Sequence, residues 1–470
     1  MRQRTPEIVA ALFAVGVVLS GMGVPLMDDD LFWWTPKGLL VAEHGPQLIL
    51  AGDLPSALLT DTELPRQWAD GLPDYGHPPL WFWWLGLWLK LAGPQAQSVH
   101  LAVLPVAASA GWGLAVLMRR MGGHRAAWGA LAVLVTPPLV VQLWRGDTDA
   151  GLLALSIWAL ISLVDGKWLR FAVFSALATW VKEPGVLLVV PAVMACFLER
   201  KWRWAALAPA AALGLWGAVH YAMTGWAFAG AERLPPGPLE WASDLFSVAW
   251  LILGDQGRFL IWPFAVWAVW KGFVRVRPLC IVGSFAVAQI GFFGTFNFLG
   301  GIDRDDAHTH MRYLVPGSAG SQAVAISANP MAGFAAAAAS LWHLKSSHPR
   351  GPEASLCSAE EGLALRRFAA GESANIRPLW VGSYAFTQLT RPYAGVVSEP
   401  MMGLRVYGPD TRPDDVSGHV LSTTFGEPLG RLQELNLEEV QALSGRCGGI
   451  RILRVNGRIR PAPESVPAGL

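Results

Sequence analysis

Residues Ile8 to Asp30 read IVAALFAVGVVLSGMGVPLMDDD, an apolar run up to Met27 followed by three consecutive aspartates. A helix needs about 20 predominantly apolar residues to cross about 30 Å of hydrocarbon, so the run fits a membrane span with an acidic exit. The basic start Met1-Arg2-Gln3-Arg4 also suits a signal peptide. The apolar part nevertheless exceeds the usual ~7 to 15 residues of such a signal, and more apolar runs follow. We read it as a retained span with the N-terminus inside.

Composition extends this reading to most of the chain. The 470 residues are 53% hydrophobic and 15% charged, against about 25% charged in soluble proteins, which excludes an ordinary soluble enzyme and a disordered chain. Before about residue 343 we count about ten runs of span length. Lys and Arg number 36 against 35 Asp and Glu, a formal charge of +1. No basic field exists to hold nucleic acid, which is excluded as a partner. Cys196, Cys280, Cys357 and Cys447 form no C-x-x-C pair, which argues against a zinc ribbon, a thioredoxin-type motif or a disulfide scaffold.

Lys and Arg near span ends stay cytoplasmic. The clusters Arg119, Arg120 and Arg125; Lys167 and Arg170; Arg200, Lys201 and Arg203; and Lys271, Arg275 and Arg277 therefore mark the inside. Segments around Asp147, Lys182, Gly225 to Ser243 and Gly301 to Arg312 fall outside. The stretch His77 to Leu91, HPPLWFWWLGLWLKL, is short for a span, would put Arg119 and Arg120 outside if it crossed, and sets Trp81, Trp84 and Trp88 on one helical face; a span stays the alternative. We expect it to lie at the outer headgroup level, where Trp is favoured. Residues 28–77 then form an external acidic loop. Tyr313 to Trp342 is long for one span and contains Gly317, Gly320, Asn329 and Pro330, the marks of a broken helix.

From residue 344 to 470 the composition turns polar. Helix-like Ala359 to Ala370 and Leu432 to Leu443 alternate with strand-like Leu379 to Val381, Gly395 to Val397, Leu404 to Tyr407 and Gly449 to Val455. The expected architecture is a polytopic α-helical membrane domain over residues 1–343 and a small soluble α/β domain.

Chemistry concentrates at the outer span ends. Asp28, Asp29 and Asp30 repel one another at the bilayer surface, an arrangement suited to a base, a metal ligand or a recognition group; the plain alternative is a solvated acidic cap. Arg145-Gly146-Asp147-Thr148-Asp149 opens another apolar run and offers a second acidic site, or an N-cap. Lys182, Arg258 and Arg312 lie outside against the positive-inside trend. They suit an anion such as a lipid phosphate, or else ion pairs of Lys182 with Glu183 and Arg258 with Asp255. His308 and His310, beside Asp303, Asp305 and Asp306, are the candidates for a divalent metal. Walker, zincin, G-x-S-x-G and N-x-[ST] patterns are absent from the sequence.

The order Asp29-Asp30-x-x-Trp33, Gly52-Asp53-x-Pro55 and His77-Pro78-Pro79-Leu80 resembles the D-E-x-x-Y, G-D-x-P and H-P-P-L pattern of polyprenyl-phosphate-sugar transferases. These are the GT-C membrane glycosyltransferases, which include protein O-mannosyltransferases and the lipid A aminoarabinose transferase. The similarity continues through Arg145 to Leu153, Lys182-Glu183-Pro184-Gly185 and His310-Met311-Arg312-Tyr313-Leu314-Val315-Pro316, covering about residues 8 to 320.

The resemblance implies a GT-C-like bundle in a bacterial-type inner membrane. Its substrate is a polyprenyl-phosphate sugar and its acceptor is extracytoplasmic. Asp29 matches the general base, although Asp30 stands where the family has Glu, so Asp28 shares the candidacy. Asp149, or else Asp147, matches the second acidic site. Lys182 and Arg312 match positions suited to the donor phosphate, with His77, Arg258 and Tyr313 beside the substrate. No cofactor is required if cations hold the phosphate, while the Asp/His loop leaves a divalent metal open. Two other readings compete: a transporter or flippase, which would carry midplane charges and related halves, and a degenerate transferase kept as a scaffold.

Overall fold

The computed structural model describes residues 4–23, 26, 34–46, 77–224, 227, 237–271, 276–295, 307–345, 364, 379–382, 404–407, 411–423, 429–445 and 448–458. They fall into two compact units, a helical one through Lys345 and one built on strands from Leu379. The aspartate triplet, Gly395 to Val397 and all of Ala359 to Ala370 except Ala364 lie outside the described residues.

The helical unit runs α1 (Thr5–Ser20), α2 (Thr35–His44), α3 (Leu80–Ala92), α4 (Ala96–Gly122), the short α5 (His124–Ala127) and α6 (Ala130–Leu134), α7 (Pro137–Trp144), α8 (Thr148–Val164) and α9 (Trp168–Val181). It continues with α10 (Val189–Glu199), α11 (Ala208–Thr224), α12 (Pro238–Leu253), α13 (Trp262–Trp270), α14 (Val276–Thr295), α15 (Ala307–Ala328) and α16 (Pro330–Lys345). Residues 96–122, 204–222 and 276–295 form helices long and apolar enough to cross a membrane, and 124–144 form a fourth candidate bent by 70°. Among the described residues seven shorter helices are apolar. Large side chains such as Leu12, Phe197, Trp204, Leu239 and Trp270 are exposed on the helical unit. An apolar exterior of this extent suits lipid, because water would drive it to aggregate.

Helix α3 is 13 residues long, a rise of about 20 Å and less than the hydrocarbon depth. It buries Trp81, Phe82 and Leu85 and packs against α2 and α4. The break expected after Tyr313 is present: α15 ends at Ala328, and Asn329 Oδ1 accepts from Met331 N at 3.0 Å to start α16. Within α15, Pro316 disrupts the regular bonding, and Gly317 N donates instead to Gln289 Oε1 of α14 at 2.7 Å.

Polar contacts tie the helices together at both ends. At one end Arg119 pairs with Glu7 at 2.5 Å, and Arg120 with Asp165 at 2.9 Å. At the other, Trp144 Nε1 at the end of α7 donates to Val17 O of α1 at 2.8 Å. His100 at the start of α4 bonds Trp144 O at 2.6 Å; because a carbonyl only accepts, its Nδ1 carries the proton. Helices α1 and α4 are thereby antiparallel. Gly111 permits their contact, since a Cβ there would stand 2.5 Å from Ala10 O.

The second unit is a five-stranded sheet in the order β2-β1-β3-β5-β4: β1 (Leu379–Val381), β2 (Leu404–Val406), β3 (His419–Thr423), β4 (Leu435–Gly445) and β5 (Gly448–Arg458). β1 lies parallel to β2 and β3, while β5 is antiparallel to β3 and β4. Trp380, Val420, Leu432 and Leu453 belong to its core.

One expectation is corrected here. Leu432 to Leu443 is not an α-helix; most of it is strand β4, paired antiparallel with β5 from Leu435 opposite Arg458 to Gly445 opposite Gly448. The pairing slips between Leu435 and Leu437 and again between Glu439 and Gln441. The apolar spacings Leu432 to Leu435, Leu437 to Val440 and Val440 to Leu443 are each of three and imitate a helix, and the second slip falls at Val440, which two of them share.

Candidate active site

The site is built on the α8–α9 hairpin. Gly166 lies in the left-handed region, at φ 68°. Lys167 N reaches back to Ser162 O at 2.7 Å and Gly166 N to Leu163 O at 3.0 Å, which closes α8 and reverses the chain. The N-terminus of α8 therefore meets the C-terminus of α9. Asp147 and Asp149 occupy the positive end of one helix dipole and Lys182 the negative end of the other, where their charges are favoured.

Asp147 caps α8 in extended geometry, its Oδ1 accepting from Asp149 N at 3.0 Å. The Gln142 amide, oriented to satisfy both groups, donates to Asp147 Oδ2 at 2.8 Å. Burial, reinforced by the Asp149 charge and opposed by Arg145 and Lys182, pushes the Asp147 carboxyl up to about 7.

At Lys182 the chain leaves the helical path for φ −160°, ψ 141°, and the side chain turns back into the unit. Lys182 Nζ donates to Asp149 Oδ1 at 2.7 Å, and each side chain is only 1% exposed. The other oxygen, Asp149 Oδ2, is buried with no hydrogen-bond partner among the described residues. A buried carboxylate with one oxygen unused leaves the pair with room for another donor.

The turn after Lys182 is fixed by Pro184 in the first turn of the 3-10 helix Glu183–Leu188 and by the bond from Gly185 N to Lys182 O at 3.0 Å. A Cβ on Gly185 would fall 2.5 Å from Thr179 N and 2.6 Å from Ala178 C. Glu183 points the other way, its Oε1 accepting from His77 Nδ1 at 2.7 Å. Burial raises the Glu183 carboxyl, but the charge and hydrogen bond of His77 outweigh it and hold the group below its ordinary range. The His77 ring lies 5.3 Å from that of Trp34, and Lys37 Nζ sits 5.1 Å from the Phe82 ring centroid. Trp81 Nε1 donates to Gly146 O at 2.9 Å, locking α3 onto the loop that carries Asp147.

Of the residues singled out from sequence, the structure gathers Asp147, Asp149, Lys182 and His77 at this end of the unit. The ion pair weighed for Lys182 with Glu183 is replaced by Lys182 with Asp149 and Glu183 with His77. Arg258 is buried in the 3-10 helix Asp255–Ile261 that follows α12, and its Nη2 donates to Leu251 O in the last turn of α12. His308, His310, Arg312 and Tyr313 lie on the first turns of α15, their side chains outside the description. Among the described residues no three His, Cys, Asp or Glu are grouped as metal ligands. Sequence reasoning missed the roles of Glu183, Gln142 and Trp34. The Lys-Glu-Pro-Gly quartet was the available signal for Glu183; Gln142 and Trp34 had none.

Residues 76–226 match the family model for dolichyl-phosphate-mannose-protein mannosyltransferase. Two solved structures of ArnT from Cupriavidus metallidurans, one in the apo state and one bound to undecaprenyl phosphate, share the fold with a TM-score of 0.52. The chain resembles the GT-C membrane glycosyltransferases and has their fold. Sequence identity to the two structures is 16% and 15%, and the matches cover 95% of this chain and 97% of ArnT. No curated protein matches the sequence. His77, Asp147, Asp149, Lys182 and Glu183 all fall inside the segment that fits the mannosyltransferase model.

Proposed function

We propose that the chain is an integral-membrane glycosyltransferase that takes a sugar from a polyprenyl-phosphate donor and places it on an extracytoplasmic acceptor. The buried Lys182–Asp149 pair at the helix ends carries this reading. Burying an ammonium is costly, and one retained at a helix end suits the phosphate of a substrate, while the unused Asp149 oxygen suits a hydroxyl donor of the same substrate. The match to the mannosyltransferase model and the undecaprenyl phosphate named for ArnT give that anion a chemical class.

The chemistry follows from the donor. A sugar phosphate tied to a long isoprenoid stays in the bilayer, so its C1 reacts at headgroup depth. The acceptor oxygen attacks C1 in line, its proton passes to a carboxylate, and the bond from C1 to the phosphate oxygen breaks with inversion. Negative charge grows on the departing phosphate, where Lys182, with Arg258 and Arg312 in support, would stabilise it.

An aspartate of the triplet, Asp29 first and Asp28 or Asp30 in its place, is our general base. Support comes from α1, which ends eight residues before Asp28 and whose last turn is bonded to Trp144, three residues before Asp147. About ten crossings, a bacterial inner membrane and an active site on its outer side complete the proposal. No resident cofactor is needed, because fixed cations can hold a monophosphate.

The test is reconstitution in proteoliposomes with radiolabelled polyprenyl-phosphate sugars, comparing wild type with Asp29→Asn and Lys182→Ala. Label should leave the carrier with wild type alone. Label retained on the carrier with wild type across the donor panel would contradict the proposal.

A further inference from the structure

At the helix ends away from Lys182, a groove of about 490 Å³ runs between α4, α8 and α9. That size lies within the range of ligand sites. Its wall is apolar: Trp158 stacks on Phe174 with centroids 6.1 Å apart, Val173 is half exposed, and Trp158 Nε1 is satisfied by Ser109 Oγ at 2.9 Å. Its rim carries Arg120, Lys167 and Arg170 against the single carboxylate Asp165. Arg120 grips that carboxylate with two nitrogens, at 2.9 and 3.0 Å. Lys167 and Arg170 are exposed and have no carboxylate partner among the described residues. Both also sit at the N-terminus of α9, Lys167 as its cap and Arg170 in its first turn. Cations there oppose the helix dipole and add to its positive end, so the site favours an anion.

We propose that this groove binds an anionic phospholipid. The headgroup phosphate rests on Lys167 and Arg170, and an acyl chain lies along Val173, Phe174 and Trp158. A free phosphate would leave the aromatic wall unused, whereas a basic rim over an apolar groove between membrane helices matches both halves of a lipid. The inference needs the membrane but not the transferase activity.

Native mass spectrometry of the full chain in detergent tests it, with dioleoyl phosphatidylglycerol, dioleoyl phosphatidylcholine or glycerol 3-phosphate added. Phosphatidylglycerol should be retained over phosphatidylcholine. Lys167→Ala/Arg170→Ala should weaken that retention about thirtyfold, from the usual contribution of two surface cations. Val173→Trp, which fills the groove and keeps the charge, should weaken it as well, whereas Lys201→Ala/Lys271→Ala at other basic turns should not. Equal retention by wild type and Lys167→Ala/Arg170→Ala, full retention by Val173→Trp, or displacement by glycerol 3-phosphate alone would overturn the proposal.

Discussion

Lys182 Nζ lies 2.7 Å from Asp149 Oδ1 although 33 residues separate them, and both side chains are shut away from solvent. Removing one partner strands the other charge in the interior. Lys182→Ala should therefore destabilise the chain by about 3 to 5 kcal/mol, while Lys182→Met/Asp149→Leu, which removes both charges, should be near neutral. Thermal unfolding in detergent separates the two; equal losses would mean the pair is not the buried unit described. Both variants should lose transfer.

The Asp147 carboxyl supplies a pH dependence. Pushed up from 3.8 to about 7, it binds its proton more tightly in the folded chain. Its contribution to stability is thus complete below 3.8 and lost as pH rises through about 7. The proposed donor is a phosphodiester with a fixed negative charge, and ionised Asp147 would oppose it beside Lys182. Donor affinity should fall several-fold between about pH 6 and 8, and Asp147→Asn should flatten the profile. A wild-type profile as flat as that of Asp147→Asn would contradict this assignment.

Gly185 fixes the turn that aims Lys182. Gly185→Ala would press a methyl group into the backbone of Ala178 and Thr179. Backbone cannot rotate aside as a side chain can, so we expect a loss of about 1 to 3 kcal/mol, the usual cost of overpacking. Transfer should fall by more than Gly151→Ala causes, because a Cβ at Gly151 meets only the Trp81 and Val181 side chains. Equal effects of the two substitutions would count against the turn.

The sheet unit should respond on its own. Ile452, fully buried on β5, should cost about 2 to 5 kcal/mol when cut to alanine. Hydrogen exchange on the intact chain should show faster exchange in β3 to β5, with α4 and α8 unchanged. Loss of protection in the helices would show that the two units unfold together.

The helical unit was legible because its signal is local: apolar runs announce themselves within 20 residues or so. The break at Asn329 was readable for the same reason, from Asn-Pro chemistry. Strand β4 was not, since its identity depends on β5 and on two slips of register that no single segment displays. At the site, Asp147, Asp149, Lys182 and His77 stood out as charged or titratable groups at apolar boundaries. Which carboxylate takes which cation was hidden, because sequence proximity favours Lys182 with Glu183. The hairpin turn at Gly166 instead delivers Lys182 to Asp149.

The central claim is that this end of the α8–α9 hairpin seats the donor phosphate. The most direct measurement is an experimental structure of the full chain with a polyprenyl phosphate bound. The account predicts the phosphate within hydrogen-bond distance of Lys182 Nζ, at the N-terminus of α8. A phosphate bound elsewhere, out of reach of Lys182, would contradict it.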